Sequence, residues 1–386
     1  MAKDNARQTK AVRAGIDTDT QHGAVMPPVY LTSNFSFAGF DTPRQHDYTR
    51  TSNPTRETLA DVLADLENGA GASITATGMG AITLALQTVN PGDVIVAPRD
   101  CYGGTFRLLN GLAARGLCTV RFVDQVAHAA TDAALEGARL LWVESPTNPL
   151  LRVMDLEKLS ELAKSHGALM AVDNTFLSPA CQRPLDFGAD LVVHSTTKYL
   201  NGHSDIVGGA VVAADAELAE QMAWWANALG LTGAPFDSFL TMRGVRTLYV
   251  RMAQHELNAT TLANVLEAHA AVTNVFYPGL KSHPGHAIAS KQQTGFGGML
   301  SFELDGGQGA ARAFLENVEL FTLAESLGGV ESLACHPATM THATLDAEAQ
   351  KVAGISDGLV RLSVGIEATE DLVRDVLQGL EAAAGR

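Results

Sequence analysis

The run DLVVHSTTKYLNGHSD, residues 190–205, ends an apolar stretch in Ser195, Thr197 and Lys198. A lysine at the end of a buried strand must either reach water or be held for chemistry, because burial penalises an isolated ammonium. Other polar residues stand at the ends of similar runs. TGMGAITLAL follows ASITAT and opens a helix, so Gly78 and Gly80 allow close backbone approach to free amides, a geometry suited to phosphate. Ser195 and Thr197 add two hydroxyl donors. Asp173 ends LMAVDN, and a carboxylate beside a heteroaromatic nitrogen keeps that nitrogen protonated, which makes the ring an electron sink. Tyr102, in DCYGGT, can lay its ring on a planar ligand. Each residue alone has an ordinary role: a turn glycine, a capping aspartate, a tyrosine packed in a loop. Phosphate donors, a ring-nitrogen carboxylate, a stacking aromatic and a lysine together describe one cofactor, pyridoxal 5'-phosphate, with Lys198 as covalent anchor and proton shuttle.

Two other chemistries compete. STTK is literally Ser-x-x-Lys, the nucleophile motif of penicillin-binding enzymes, but the chain offers only SDI at 204–206, has no Lys-Thr-Gly, and Ser195 ends a strand-like run rather than opening a helical turn. A non-catalytic ligand-binding protein of this composition would show no visible absorbance when purified. Metal is not expected. His283 and His286 in HPGH are separated by proline and glycine and lack a third ligand, and Cys101, Cys118, Cys181 and Cys335 form no Cys-x-x-Cys pair.

These residues need elements to hold them. The 386 residues, 46% apolar and 18% charged, can bury a large core in two domains. Residues 1–52, with VMPPVYLTSNFSF, read as an arm. A helix starts at Asn53–Pro54 with Leu59, Val62, Leu63 and Leu66 on one face and Gly69 as its stop. Over 53–255 the runs ASITAT, DVIVAP, TVRFVD, LLWVES, LMAVDN, DLVVHS and GGAVVAA alternate with helical patterns such as MDLEKLSELAKSHG, so a mostly parallel sheet covered on both faces is expected, with ligands at the carboxyl ends of its strands. Residues 256–386, with GGMLSFEL, ARAFLENV and an amphipathic stretch from Thr369, read as a smaller C-terminal α/β domain. The formal charge of −15 disfavours nucleic acid and anionic membranes. No apolar run reaches the ~20 residues of a membrane span, and MAKDNARQTK lacks a secretory signal, so a cytoplasmic protein is expected.

The motifs YTRTSNPTR, VESPTNPLLRVMD, VDNTFLSP, HSTTKYLNGHSD and FTLAESLGGVESL resemble the cystathionine γ-synthase, γ-lyase and β-lyase group of pyridoxal phosphate enzymes, from about residue 10 to 380. The resemblance implies an aspartate-aminotransferase-like fold of type I. It implies Lys198 as the cofactor lysine, Asp173 as the partner of the pyridine nitrogen, Tyr102 as the stacking ring, Thr175 as a further cofactor-binding residue, and Gly78, Met79, Ser195 and Thr197 around the phosphate. Tyr48 and Arg50 would complete a neighbouring subunit's phosphate site, in a homotetramer built as a dimer of active dimers. Arg361 would clamp a substrate α-carboxylate bidentately, and Asn148, Glu325 and Ser326 would be further substrate residues. Asp47, Arg107 and Asn227 match positions near the distal part of the substrate in synthases. Glu325 stands where β-lyases tend to have an aromatic residue, and Gly104 where methionine γ-lyases tend to have cysteine. The implied reaction is γ-replacement joining L-cysteine to an O-acyl-L-homoserine, O-succinyl favoured, to give L-cystathionine. Thr51 departs from the second arginine expected for a succinyl group, which keeps γ-lyase cleavage of cystathionine as the alternative.

Overall fold

The computed structural model describes residues 5–343, 350–351 and 353–385; the ends of the two terminal sequence ranges, residues 1–4 and 386, lie outside them. The arm carries one short helix, α1 (Arg7–Val12), too brief for an apolar period to show, and Lys10 pairs with Asp65 at 2.6 Å to fix it against α2 (Pro54–Glu67). Helix α2 starts as its sequence requires: the Asn53 side chain accepts the Thr55 N–H and Pro54 occupies the first turn. It stops one residue earlier than the glycine signal suggests, because Asn68 takes the left-handed conformation, φ 66°. Gly69 is needed for space instead: a Cβ there would lie 2.4 Å from Val212 Cγ1.

From α2 the chain runs through β1 (Gly71–Thr75), α3 (Gly78–Ala85), β2 (Val94–Pro98), α4 (Gly103–Ala114), β3 (Thr119–Val123), α5 (His128–Ala134), β4 (Ala138–Glu144) and α6 (Leu156–Ser165). It continues with β5 (Leu169–Asp173), α7 (Ser178–Cys181), β6 (Leu191–Ser195), β7 (Gly209–Ala213), α8 (Ala216–Leu229) and α9 (Pro235–Val245). The seven strands form one sheet, ordered β1-β7-β6-β5-β4-β2-β3, and each coincides with a run read from sequence. Six point the same way, while β7 pairs antiparallel with both β1 and β6. Val192 and Val212 pack under α2 with Leu59, Val62 and Leu63; Val193, Val211 and Trp142 pack on the other face with Ile82, Leu84 and Leu109. Burial on both faces is why these strands read as unbroken apolar runs.

Helix α10 (Leu248–Glu267) leads out of this body, and the 255/256 division falls inside it. Its Leu248 and Met252 belong to the large core, whereas Leu262 and Leu266 belong to the next one. Beyond it come β8 (Val272–Phe276), α11 (His286–Gln292), β9 (Met299–Leu304), α12 (Gly307–Asn317), β10 (Thr322–Leu323), β11 (Leu333–Cys335), β12 (Leu359–Ser363) and α13 (Thr369–Ala384). A five-stranded sheet, β10-β11-β12-β9-β8, packs Phe302, Val360 and Leu362 against Phe314, Leu372 and Val376 of α12 and α13. Among the described residues no helix is long and apolar enough to cross a membrane.

Candidate active site

A cavity of about 690 Å3 opens where the carboxyl ends of β1, β4, β5 and β6 meet the segment before β11 and the strand β12. Its walls bring together Gly78, Met79, Tyr102, Arg107, Asn148, Asp173, Thr175, Ser195, Thr197, Lys198, Glu325, Ser326 and Arg361, with Gly104 beside Tyr102.

One end suits an anion. Thr77 caps α3 by accepting the Gly80 N–H at 2.8 Å, and the N–H groups of Gly78 and Met79 lie in a first turn that has no intrahelical carbonyl for them. A Cβ on Gly78 would come within 2.8 Å of Ser195 Cβ, so glycine lets the helix start and the end of β6 close around one space. Thr175 Oγ1 accepts the Ser195 N–H at 2.9 Å and ties β5 to β6 there. The Thr197 hydroxyl is shared with the Gly208 main chain.

A second part of the wall carries two carboxylates. Glu144 and Asp173 are register partners at the ends of β4 and β5. Burial pushes Glu144 up to about 8, and the Asp173 charge adds to it. Burial also raises Asp173, although the Thr175 hydroxyl and N–H and the nearby His194 pull it back. A protonated ring nitrogen placed against Asp173 relieves this pair of like charges, so the wall fits a pyridinium. Glu144 further fixes the floor: its Oε2 accepts the Tyr102 N–H at 2.8 Å and its Oε1 the Trp142 indole N–H at 3.2 Å. Gly104 leaves the Tyr102 ring its place, since a Cβ there would lie 2.5 Å from Tyr102 Cε1 and 2.6 Å from Met79 Sδ.

Lys198 lines the same cavity. Burial pushes its amine down to about 8, with the Arg361 charge acting in the same direction and Glu325 against it. Its Nζ donates to Ser326 Oγ. Ser326 holds φ 84°, an uncommon conformation for a non-glycine residue, and from it the carbonyl accepts Arg361 Nη2 at 3.0 Å. Arg361 Nη1 donates to Asn148 Oδ1 at 2.8 Å, while its buried Nε has no partner among the described residues. An orphaned N–H on a buried guanidinium is a ready place for a carboxylate.

Asp47, Tyr48, Arg50 and Asn227 do not line this cavity. They gather on the surface, where Arg50 Nη1 donates to the Asn227 carbonyl and side-chain oxygens at 2.9 and 2.8 Å and its guanidinium lies 5.6 Å from the Tyr48 ring centroid. Asp47 Oδ1 accepts the Tyr48 N–H at 2.6 Å. Glu144, Met340 and Thr341 line the cavity without having been singled out in the sequence. Glu144 was findable, because it too ends a strand run, LLWVES; Met340 and Thr341 sit in a loop with no periodic signal. His283 and His286 turn to their own loop, at Gly285 N–H and the Pro278 carbonyl, and the four cysteines are free and buried. Among the described residues no cluster of His, Cys, Asp and Glu could hold a metal.

A seven-stranded sheet with one reversed strand, and a cavity at its carboxyl edge lined by a glycine-rich helix start, a buried carboxylate and a lysine, suit a pyridoxal phosphate enzyme of fold type I. The family model for Cys/Met metabolism PLP-dependent enzymes matches residues 8–381, and the chain belongs to that family. It is 54% identical over 377 residues to the cystathionine gamma-synthase of Escherichia coli, covering 97% of this chain and 98% of that protein. It is 46% identical over 375 residues to a cystathionine beta-lyase of Lactococcus lactis subsp. cremoris, at 97% and 98% coverage. The crystal structure of cystathionine gamma synthase from Xanthomonas oryzae pv. oryzae, in complex with aminoacrylate and cysteine, superimposes with a TM-score of 0.97 at 59% identity, covering 99% of both chains.

Proposed function

We propose that this chain joins L-cysteine to an O-acyl-L-homoserine, O-succinyl favoured, to give L-cystathionine. The observation that carries the reading is the pairing of a half-buried amine, Lys198, with a guanidinium, Arg361, in the same cavity, whose buried Nε has no partner among the described residues. Gly78, Met79, Ser195 and Thr197 hold the cofactor phosphate, Tyr102 lies on the ring, Asp173 keeps the ring nitrogen protonated, and Lys198 is the covalent anchor. The bound cofactor supplies an electron sink for negative charge developing at the substrate Cα.

Arg361 orients the substrate by its α-carboxylate, with Asn148 and the Ser326 carbonyl fixing the guanidinium plane. Lys198 Nζ, lowered to about 8, is neutral in a useful fraction near neutral pH and can take the α proton. Ser326 Oγ aims that amine. The exposed Arg107 at the rim meets the distal carboxylate of a succinyl group, and Glu325 faces the entering cysteine. The arm brings Tyr48 and Arg50 to a neighbouring subunit's phosphate site in a tetramer of two active dimers, in the cytoplasm, where free buried thiols are ordinary.

One observation favours γ-lyase cleavage of cystathionine to cysteine, 2-oxobutanoate and ammonia as a second reading: Thr51 supplies no second cation for a succinyl group. Initial rates with cysteine plus O-succinylhomoserine, O-acetylhomoserine or neither, and with cystathionine alone, separate the two. Fastest cystathionine formation from the succinyl ester is expected; cystathionine cleavage faster than every synthetic rate overturns the synthase reading.

A further inference from the structure

The turn that carries Lys198 is held from behind by a side chain that does not line the cavity. Arg251, in the first turn of α10, is buried. Its Nη1 donates to the Tyr199 carbonyl at 2.8 Å, and its Nη2 to the Gly244 carbonyl at 2.9 Å and the Leu200 carbonyl at 3.4 Å. Its Nε donates to Thr247 Oγ1 at 3.1 Å. Among the described residues no carboxylate hydrogen-bonds it, so a desolvated cation is satisfied by neutral oxygens alone.

The main chain is shaped to this group. Gly202 has φ 75°, and a Cβ there would lie 2.1 Å from Arg251 Nη1; a Cβ on Gly244 would lie 2.1 Å from the Asn201 carbonyl oxygen. The Gly202 N–H donates to the Lys198 carbonyl at 2.8 Å, and the Val330 N–H to the Gly202 carbonyl at 2.9 Å. The two residues after Lys198 are therefore pinned to the α9–α10 junction, and the turn closes back onto Lys198 itself. A guanidinium can do this and an ammonium cannot, because the fork presents fixed, coplanar donors.

We propose that Arg251 is a positioning residue for the reaction: holding the Tyr199, Leu200 and Gly244 carbonyls on one rigid plane fixes the main chain of Lys198 and hence the direction in which Nζ enters the cavity. The inference rests on Lys198 being the cofactor's anchor. Holoenzyme is therefore first reduced with borohydride and the label mapped: a label elsewhere refutes the anchor and this proposal together, whereas a label at Lys198 with unaltered variants refutes this proposal alone. In Arg251→Lys and Arg251→Met that remain folded by circular dichroism, kcat is expected to fall about tenfold or more with KM changed less than about threefold, since small misplacement of a reacting group is costly. The pH midpoint of the bound cofactor's visible band is expected to move with it. Thr247→Val removes the contact to Nε together with the hydroxyl's own bond to the Gly244 carbonyl at 3.1 Å, leaves both Nη groups bonded, and is the deciding variant if the others do not fold; a smaller change in the same two readouts is expected. A lowered Tm with the band midpoint and kcat at wild-type values in the folded variants would reduce Arg251 to a structural residue.

Discussion

At the scale of single residues, the cavity couples groups that sequence alone reads one at a time. Lys198 and Asp173 are legible because each ends an apolar run, where a charged side chain needs a reason. The Glu144–Asp173 pair is not, because two carboxylates become neighbours only through the register of β4 on β5. That pairing has a measurable consequence in the cofactor-free chain. Glu144 is raised from an ordinary value near 4.5 to about 8, so between those pH values the folded state binds more protons than the unfolded one and stability falls as pH rises. Lys198 is lowered from 10.5 to about 8, so above about 8 the unfolded state binds more protons and stability rises again. Relative to wild type, Glu144→Gln should flatten the falling limb and Lys198→Met the rising one. Urea midpoints of the cofactor-free proteins at steps from pH 5 to 10 check this; parallel profiles for wild type and Glu144→Gln would show that Glu144 titrates normally.

At the scale of elements, the strands of the large sheet follow from continuous apolar runs and the helices between them from their apolar faces. The reversal of β7 does not, since GGAVVAA carries no direction of its own. Its direction follows from the connection: segment 196–208 is spent on the Lys198 turn and contains no crossover helix, and a parallel return needs one. The Lys198 turn and the antiparallel strand are thus one feature of the chain. The arm is joined to this body at the start of α2, where buried Asn53 does more than cap. Its side chain accepts the Thr55 N–H at 3.0 Å and donates to the Tyr30 carbonyl at 3.1 Å and to Thr49 Oγ1 at 3.2 Å. Asn53→Ala loses a cap and strands buried partners, which together cost about 2 kcal/mol. Denaturant unfolding should register that loss, and proteolysis within 20–52 should become faster; Asn53→Asp should recover the cap alone. An unchanged cleavage rate in Asn53→Ala would mean that the arm is held elsewhere.

At the scale of the whole molecule, one chain leaves its cavity short of charge. The cations on its walls are Lys198, Arg107 and Arg361, and among the described residues none of their side chains hydrogen-bonds Gly78, Met79, Ser195 or Thr197, where two negative charges of a phosphate would rest. The first turn of α3 offers a partial charge, less than a dianion calls for. The same chain holds a cation it does not use there, since Arg50 lies on the surface against Asn227, and its arm and α8 expose large apolar side chains, Leu31 at 70%, Phe40 at 103% and Trp224 at 63%. The proposed two-fold dimer would answer both deficits at once by covering these residues and carrying Arg50 and Tyr48 to the other chain's phosphate site. The arrangement predicts complementation. Lys198→Ala and Arg50→Ala proteins should each be nearly inactive, but unfolded together and refolded they should recover about a quarter of wild-type activity, because half of randomly formed dimers are mixed and each mixed dimer has one intact site. Activity of the co-refolded mixture, compared with separately refolded samples combined afterwards, checks this. If Arg50 serves the cavity of its own chain, every mixed dimer carries one lesion in each site and no recovery occurs.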